Sequence, residues 1–273
     1  MSASTSIQET RLKSGKKVFC LSKGEARLLD KTVENYLKSG IKIKPGDTVF
    51  DIGANIGLFT LLLADKFDDQ INIYSFEPIP DVYEVLKKNV ETLNSQNIKL
   101  FPYGLSAKPG NIKFNYYPTM SFGSTIYPLD KQEIDKLQEI SIQNLKHFPA
   151  PICWFAYLPK SLSSYLVNYK FTTGFQGKEV NCQVTTISQI IQEHQIEKID
   201  FLKIDVEKAE MDVISGIETK DWPKIKQIFI EIHDIDFRLE KMTNLLKEKG
   251  FENIKVEQEV ELTGTNIFGL YAW

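Results

Sequence analysis

A short apolar run, Thr48-Val-Phe-Asp-Ile52, leads into a turn carrying two glycines, Gly53-Ala-Asn-Ile-Gly57, and then into a stretch free of helix breakers, Leu58 to Phe67. A second β-rich run, Ile71 to Phe76, follows at once. Strand, tight turn, helix and strand at this spacing predict a βαβ unit, and with it a mostly parallel sheet covered on both faces. The rhythm continues with a helix from Asp81 to Leu93, for which the Asp81 carboxylate is the expected N-cap, and a strand from Ile98 to Tyr103. Later come Asp200–Ile204, a helix over Val206–Ser215, Gln227–Ile232 and a helix from Ile235 to Lys249 that stops at Gly250. Extended pieces around Asn253–Val256 and Asn266–Ala272 are expected to pair as a hairpin at one sheet edge.

Two segments fall outside this rhythm. Residues 1–40 hold an amphipathic helix from about Gly24 to Lys38, with Ala26, Leu29, Val33 and Leu37 at helical spacing. Residues 111–178 form an aromatic-rich insertion holding Tyr116, Tyr117, Phe122, Tyr127, Trp154, Phe155, Tyr157, Tyr165 and Tyr169. Core packing accounts for most of those rings, and a long insertion beside the loop end of a sheet is also where α/β enzymes keep a lid. The domain reading is therefore an N-terminal helical extension over 1–40 and an α/β domain over 41–273 with the insertion inside it. Charge excludes some partners. With Lys+Arg 33 against Asp+Glu 36 the net charge is −3, which supplies no general attraction for nucleic acid or an anionic membrane. No apolar run approaches the ~20 residues of a membrane span, and Met1 to Glu9 lack the pattern of a secretion signal. The three cysteines, Cys20, Cys153 and Cys182, are too scattered for a disulfide framework or a thiolate metal site. These features predict a reduced, cytoplasmic protein.

The sharpest chemistry lies in Asp51-Ile-Gly53-Ala54-Asn55-Ile-Gly57. Glycines there let a backbone approach a ligand closely, and the helix start offers free amides. The spacing is not the G-x-G-x-x-G of a dinucleotide site. An acid two residues before the first glycine suits a ligand with an ammonium group and repels a pyrophosphate. Glu77, ending the next strand before Pro78, is placed to accept both hydroxyls of a ribose. Together these describe an aminoacyl nucleoside without phosphate, for which S-adenosylmethionine is the candidate cofactor and S-adenosylhomocysteine the product.

Asp51-Ile-Gly-Ala-Asn-Ile-Gly57, Phe76-Glu-Pro78 and Phe201-Leu-Lys-Ile-Asp-Val-Glu-Lys-Ala-Glu210, in that order, resemble the FkbM family of S-adenosylmethionine-dependent methyltransferases. The resemblance covers roughly residues 25–273. Most of the family has Gly after the Glu of the third block, where this chain has Lys208. That variant, with Glu231-Ile-His233-Asp234 further on, looks like the branch associated with polyketide and nonribosomal peptide biosynthesis. The resemblance implies a class I methyltransferase fold, Rossmann-like, with a seven-stranded sheet ending in a C-terminal antiparallel hairpin, and O-methylation as the usual reaction. It assigns Asp51 to Gly57 to the methionine moiety, Glu77 to the ribose and Gly104-Leu105-Ser106 to the boundary of the adenine.

Methyl transfer to a hydroxyl requires an aligned acceptor oxygen and a base within reach of its proton. Asp205 and His233 end adjacent central strands, where open α/β sheets bind ligands. His233, with an ordinary pKa of ~6.5, is the candidate general base. Glu231 is placed to orient it or to bind substrate, and Asp205 and Glu207 to orient the imidazole or the acceptor hydroxyl. Mg²⁺ held by Asp205, Glu231 and Asp234 is the rival, ranked below the histidine. Lys203 reads as a structural ion pair, Glu210 and Lys208 as a solvated helix face, and His147 and His194 as structural histidines. The acceptor is a small molecule, free or tethered to a carrier protein, with Ser124 and Thr125 offering polar contacts. A carrier calls for a basic patch near the pocket mouth, and Lys160, Lys170 and Lys178 lie in that region but read first as solvated lysines. N- or C-methylation and cofactor binding without turnover stay open. A nicotinamide oxidoreductase is opposed by Asp51 and the missing glycine spacing. Oligomeric state is left open.

Overall fold

A computed structural model of the chain describes residues 6–148 and 150–273, so the expectations for the first five residues lie outside the described part. A hairpin of β1 (Gln8–Arg11) and β2 (Lys17–Cys20) precedes α1 (Lys23–Thr32), which tightens into a 3₁₀ turn, Val33–Leu37. Ser22 caps α1, its hydroxyl accepting from the Glu25 amide. The sequence reading missed the hairpin, whose four-residue strands are too short for periodicity to register. Asn89 docks it: its side chain exchanges two hydrogen bonds with the Phe19 backbone and donates a third to Ile56 O, 2.7 Å away.

The main sheet is built as expected. β3 (Thr48–Ile52), α2 (Leu58–Lys66), β4 (Asn72–Phe76), α3 (Pro80–Glu91) and β5 (Ile98–Phe101) form one half. Next come β6 (Gly104–Leu105) and β7 (Gly110–Tyr116). A helical segment with α4 (Lys131–Gln143) and α5 (Lys160–Gly174) then leads to β8 (Lys178–Thr185), and β6, β8 and β7 make a separate three-stranded sheet. The second half is α6 (Ile187–Glu193), β9 (Phe201–Ile204), α7 (Glu210–Ser215), β10 (Ile228–His233), α8 (Arg238–Glu248), β11 (Ile254–Glu257) and β12 (Ile267–Ala272). The seven strands lie in the order β11-β12-β10-β9-β3-β4-β5. The five from β10 to β5 are parallel, and β12 and β11 close one edge as an antiparallel hairpin. Strand order reverses between β3 and β9, and that reversal opens a crevice at their carboxyl ends.

Strand alternation divides the core. Phe50, Ile52, Leu202, Ile204 and Ile230 pack on one face of the sheet, Val49, Phe201 and Phe229 on the other. Each such side chain contributes roughly 1.5–3 kcal/mol by burial. Two local expectations differ from the structure. Asp81 does not cap α3: Pro80 takes the first helical position, where its missing N–H costs nothing, and Ile79 occupies the cap. The helix expected from Val206 begins only at Glu210, because Glu207 and Lys208 both adopt left-handed backbone, φ 49° and 73°. Glycine adopts that conformation without strain, which explains why a glycine at Lys208 suits the family pattern.

Candidate active site

A cavity of about 890 Å³ lies over the carboxyl ends of β3, β4, β9 and β10, and every expected site residue lines it except Asp51 and Gly57. Gly53 makes the turn after β3 with φ 75°; a Cβ there would stand 1.8 Å from Asp205 O, so only glycine lets the two loops pass. Gly57 has no cavity wall of its own. It starts α2 at φ 85°, pressed against Leu86.

Glu77 is 5% exposed at the tip of β4. One of its oxygens accepts the Asn55 amide at 3.0 Å and the other the Ile79 amide at 2.9 Å, so the carboxylate ties the glycine turn to the start of α3. Burial pushes its pKa up to about 7, against the pull of those two amides and of Lys203. Each oxygen accepts one amide and keeps a further lone pair, and Glu77 lines the cavity. Gly104, Leu105 and Ser106, beside Pro78, form the adjoining wall.

Asp51 departs from its expected role. The parallel register sets it directly beside Lys203 on β9 and Ser75 on β4. Its carboxylate is wholly buried, accepting from Thr60 Oγ1 at 2.8 Å and pairing with Lys203 Nζ at 3.2 Å. It therefore cannot meet a ligand ammonium directly. Lys203 forms the structural ion pair expected of it and donates to Gly53 O at 2.8 Å. Burial alone would lower its pKa, but Asp51 and Asp205 outweigh that and raise it. The partly exposed partner is Asp205, 3.7 Å from Lys203 Nζ and bonded by Tyr36 Oη at 2.8 Å. Tyr36, which no sequence signal marked, also holds its ring over the lysine, 5.1 Å from Nζ to centroid.

His233 sits between two carboxylates. Nε2 lies 3.3 Å from Glu207 and Nδ1 2.9 Å from Glu210. Burial by itself would lower the imidazole pKa, but the hydrogen bonds and charges of Glu207 and Glu210 hold it well above its ordinary value. With both nitrogens engaged and the ring charged, the geometry does not offer the free neutral base that the sequence suggested. Glu210 is not solvated either: it is fully buried, orients the imidazole and accepts the Lys208 amide at 2.8 Å. Lys208 is buried too, its ammonium 2.6 Å from Glu133 on α4. Carboxylate oxygens of Asp205, Glu207 and Glu231 lie within 4.8 Å of one another. Burial and the charges of Asp205 and Glu207 push Glu231 far above the usual carboxylate range, which favours its protonated form, and burial raises Glu207 less far against the pull of His233. Asp234, expected to complete a metal set, instead accepts the Leu239 amide, and Glu207 stands in the trio in its place.

The far wall comes from α1 and the segment between β7 and β8. Glu25, buried and with its pKa raised by burial, accepts from Ser121 Oγ at 2.7 Å and the Phe122 amide at 2.8 Å. Asn55 donates to the same Ser121 hydroxyl at 3.1 Å, so one serine links the glycine turn, α1 and the 117–177 segment. Thr125 donates to Glu207 O, which anchors the strained turn, and accepts the Tyr127 amide, while Ser124 accepts the Tyr117 amide and keeps its own O–H to donate. Apolar groups such as Leu137, Ile140, Phe155, Phe171 and Phe175 complete this side. Tyr116 and Tyr117 are core, but Trp154, Tyr157, Tyr165 and Tyr169 are exposed, against the packing expected of them. His194 packs edge-on against Tyr74 and Phe101, as a structural histidine should.

The family model of the methyltransferase FkbM domain matches residues 51–252. Over 264 residues the chain is 30% identical to the 31-O-demethyl-FK506 methyltransferase FkbM of Streptomyces tacrolimicus, covering 96% of this chain and 95% of that one. It is also 30% identical over 280 residues to the AMB antimetabolite synthetase AmbE of Pseudomonas aeruginosa. That match takes in 99% of this chain but only 13% of AmbE. Methyltransferase sdnD of Sordaria araneosa is 26% identical over 245 residues, 86% of this chain and 85% of its own. Among solved structures, the methyltransferase FkbM from Methylobacillus flagellatus superposes with a TM-score of 0.54 at 13% identity, over 88% of this chain and 47% of that one, a likeness of fold.

Proposed function

The chain belongs to the FkbM methyltransferase family, and we propose that it moves the methyl group of S-adenosylmethionine to a hydroxyl or enol of a polyketide or peptide natural-product intermediate, free or carrier-bound. The observation that carries this reading is the cavity itself, with the Glu77 carboxylate at one end and the Asp205–Glu207–Glu231–His233 cluster at the other. Two relatives support the substrate class, one named for methylating 31-O-demethyl-FK506 and one named an antimetabolite synthetase.

The cofactor supplies an electrophilic methyl on a cationic sulfur. Glu77 accepts the ribose hydroxyls through the lone pairs left after its two amide bonds. Asp205 takes the ammonium, a role that burial denies Asp51. Glu207 accepts the proton of the acceptor hydroxyl through the carboxylate oxygen that His233 leaves free, while the charged imidazole fixes its orientation. Glu210 holds the imidazole in turn. The protonated Glu231 donates to the acceptor and leaves the cluster short of one repelling charge. The apolar far wall excludes water and accepts an apolar chain.

Calorimetric titration with S-adenosylmethionine, S-adenosylhomocysteine and NAD tests the first half, and saturable NAD binding alone would overturn it. Transfer of a labelled methyl to a panel of hydroxyacyl thioesters, with NMR of the products, tests the second. An N- or C-methyl product would replace the acceptor chemistry, and cofactor binding without any transfer would leave a non-catalytic protein. Activity lost on chelation and restored by Mg²⁺ would place a cation among the three carboxylates.

A further inference from the structure

The turn that carries Glu207 stands in a conformation its own residues do not favour. Val206-Glu-Lys-Ala-Glu210 reads locally as the start of a helix, yet Glu207 and Lys208 both sit at positive φ, 49° and 73°, and α7 begins only at Glu210. Two successive non-glycine residues keep such backbone only where their surroundings over-determine it, and turns of this kind gather at functional sites. Four contacts hold this one. From the downstream half of the chain, Glu210 accepts the Lys208 amide at 2.8 Å and Arg238 donates to Lys208 O at 2.6 Å. The other two come from the segment between β7 and β8: Thr125 donates to Glu207 O, and Glu133 pairs with the Lys208 ammonium at 2.6 Å.

That segment also walls the apolar end of the cavity, through Ile126, Leu129, Leu137 and Ile140. Glu133 is itself held from both sides. Its other oxygen accepts the Asp130 amide at 2.9 Å in the capping box that starts α4, so the first turn of α4 cannot shift without pulling on Lys208. Tyr127 adds to the connection, donating to Asp212 on α7 at 2.9 Å and lying under the Arg238 guanidinium, 5.9 Å from carbon to ring centroid. Stability alone is a poor account of the Lys208–Glu133 pair, because the lysine side chain is only 8% exposed and its desolvation offsets much of the attraction. We propose that Glu133 and Thr125 are positioning residues for the Glu207 carboxylate: the wall that receives the acceptor also holds, in its left-handed turn, the group that takes the acceptor's proton. This reading rests on the proposed methyl transfer. An acceptor that presses α4 onto the turn strengthens both contacts, so a poorly fitting one loses turnover more than binding. Where the contacts are removed, the turn relaxes toward the helix its sequence favours and Glu207 swings away from His233.

The variants that test this are Glu133→Ala, Thr125→Val, Glu133→Ala combined with Lys208→Gly, and Asp130→Ala, which weakens the same helix cap but leaves the lysine pair. Hydrogen exchange of the whole protein in S-adenosylhomocysteine reads the turn without any acceptor. Amides of residues 206–210 should exchange faster in Glu133→Ala and in Thr125→Val than in the wild type or Asp130→Ala, while those of β9 stay as they are. In the labelled-methyl assay on hydroxyacyl thioesters, kcat should fall about 10–10²-fold in both variants, the scale of about 1 Å of misplacement. Acceptor KM and S-adenosylhomocysteine affinity should stay near the wild-type values. Lys208→Gly should restore part of the Glu133→Ala loss, because it removes the unpaired ammonium and adopts the left-handed turn without strain. Exchange that ignores both variants overturns the proposal, and so does a kcat that ignores them. A loss in Asp130→Ala equal to that in Glu133→Ala overturns it too, since the pair would then only support the helix. If no thioester is methylated, the methyl-transfer reading fails on that assay, and exchange still decides whether α4 holds the turn.

Discussion

Cofactor affinity should depend on pH through Glu77. The carboxyl is almost wholly buried, and burial pushes its pKa up to about 7. Only the ionised form can accept two ribose hydroxyls while keeping the amides of Asn55 and Ile79. S-adenosylmethionine affinity should therefore be level just above pH 7 and fall about tenfold per unit below it, ~1.4 kcal/mol each. Between pH 5 and 7 the cofactor's ammonium stays charged, so the slope reports the protein. The same shift acts on stability in the opposite direction. The unfolded carboxyl ionises near 4.5 and the folded one near 7, so between those values the folded state holds the extra proton. Stability of the free protein then falls as pH rises across that window, by about 3 kcal/mol in all. Glu77→Gln removes this titration, so it should flatten the binding curve and reduce the stability slope by the Glu77 share, the raised carboxyls of Glu25 and Glu231 keeping theirs. It also weakens binding at pH 7.5 by roughly 10²-fold, from about two charge-assisted hydrogen bonds at 1.5 kcal/mol each. Calorimetry across pH 5–7.5 and urea melts at matching pH supply the measurements. A wild-type affinity that is flat from pH 5 to 7, or a Gln variant that keeps the slope, refutes the assignment.

Other outcomes follow from the same geometry. Glu207→Gln should lower kcat by about 10²–10⁴-fold with cofactor affinity intact. His233→Gln should lower it less, because the imidazole orients the base; a larger loss on His233→Gln in steady-state kinetics would return the proton to histidine. Asp51→Asn removes one partner of the buried Lys203 pair and should cost about 3–5 kcal/mol in denaturant melts. Lys208→Gly should be about 1 kcal/mol more stable than Lys208→Ala, since both lose the Glu133 contact but only glycine relieves the φ of 73°; equal melting points would remove the strain from the account. Tyr36→Phe should cost about 1 kcal/mol of stability and raise the cofactor Kd by freeing Asp205, with no such rise if Asp205 does not meet the ammonium.

Local pattern carried much of this. The run from Thr48 to Phe67 specifies strand, glycine turn and helix because each residue's preference agrees with its neighbours, and Glu77 follows from its place at the next strand end. Gly53 was legible for the same reason, although the oxygen it makes room for belongs to Asp205. Other roles depended on partners far along the chain. Asp51 was read as a ligand contact because nothing local shows that parallel pairing sets Lys203 beside it. Glu210 and Lys208 looked like a solvated helix face, until the left-handed turn at 207–208 rotated both inward onto His233 and Glu133. Tyr36 acquires its meaning only where the end of the N-terminal helix meets β9. Sequence by itself determined the order of elements and the glycine turn, since those rest on spacing and backbone freedom within a few residues. Only the tertiary structure decided which carboxylates are buried, paired or open to the cavity, because an ionisable group takes its charge and function from whatever packs against it.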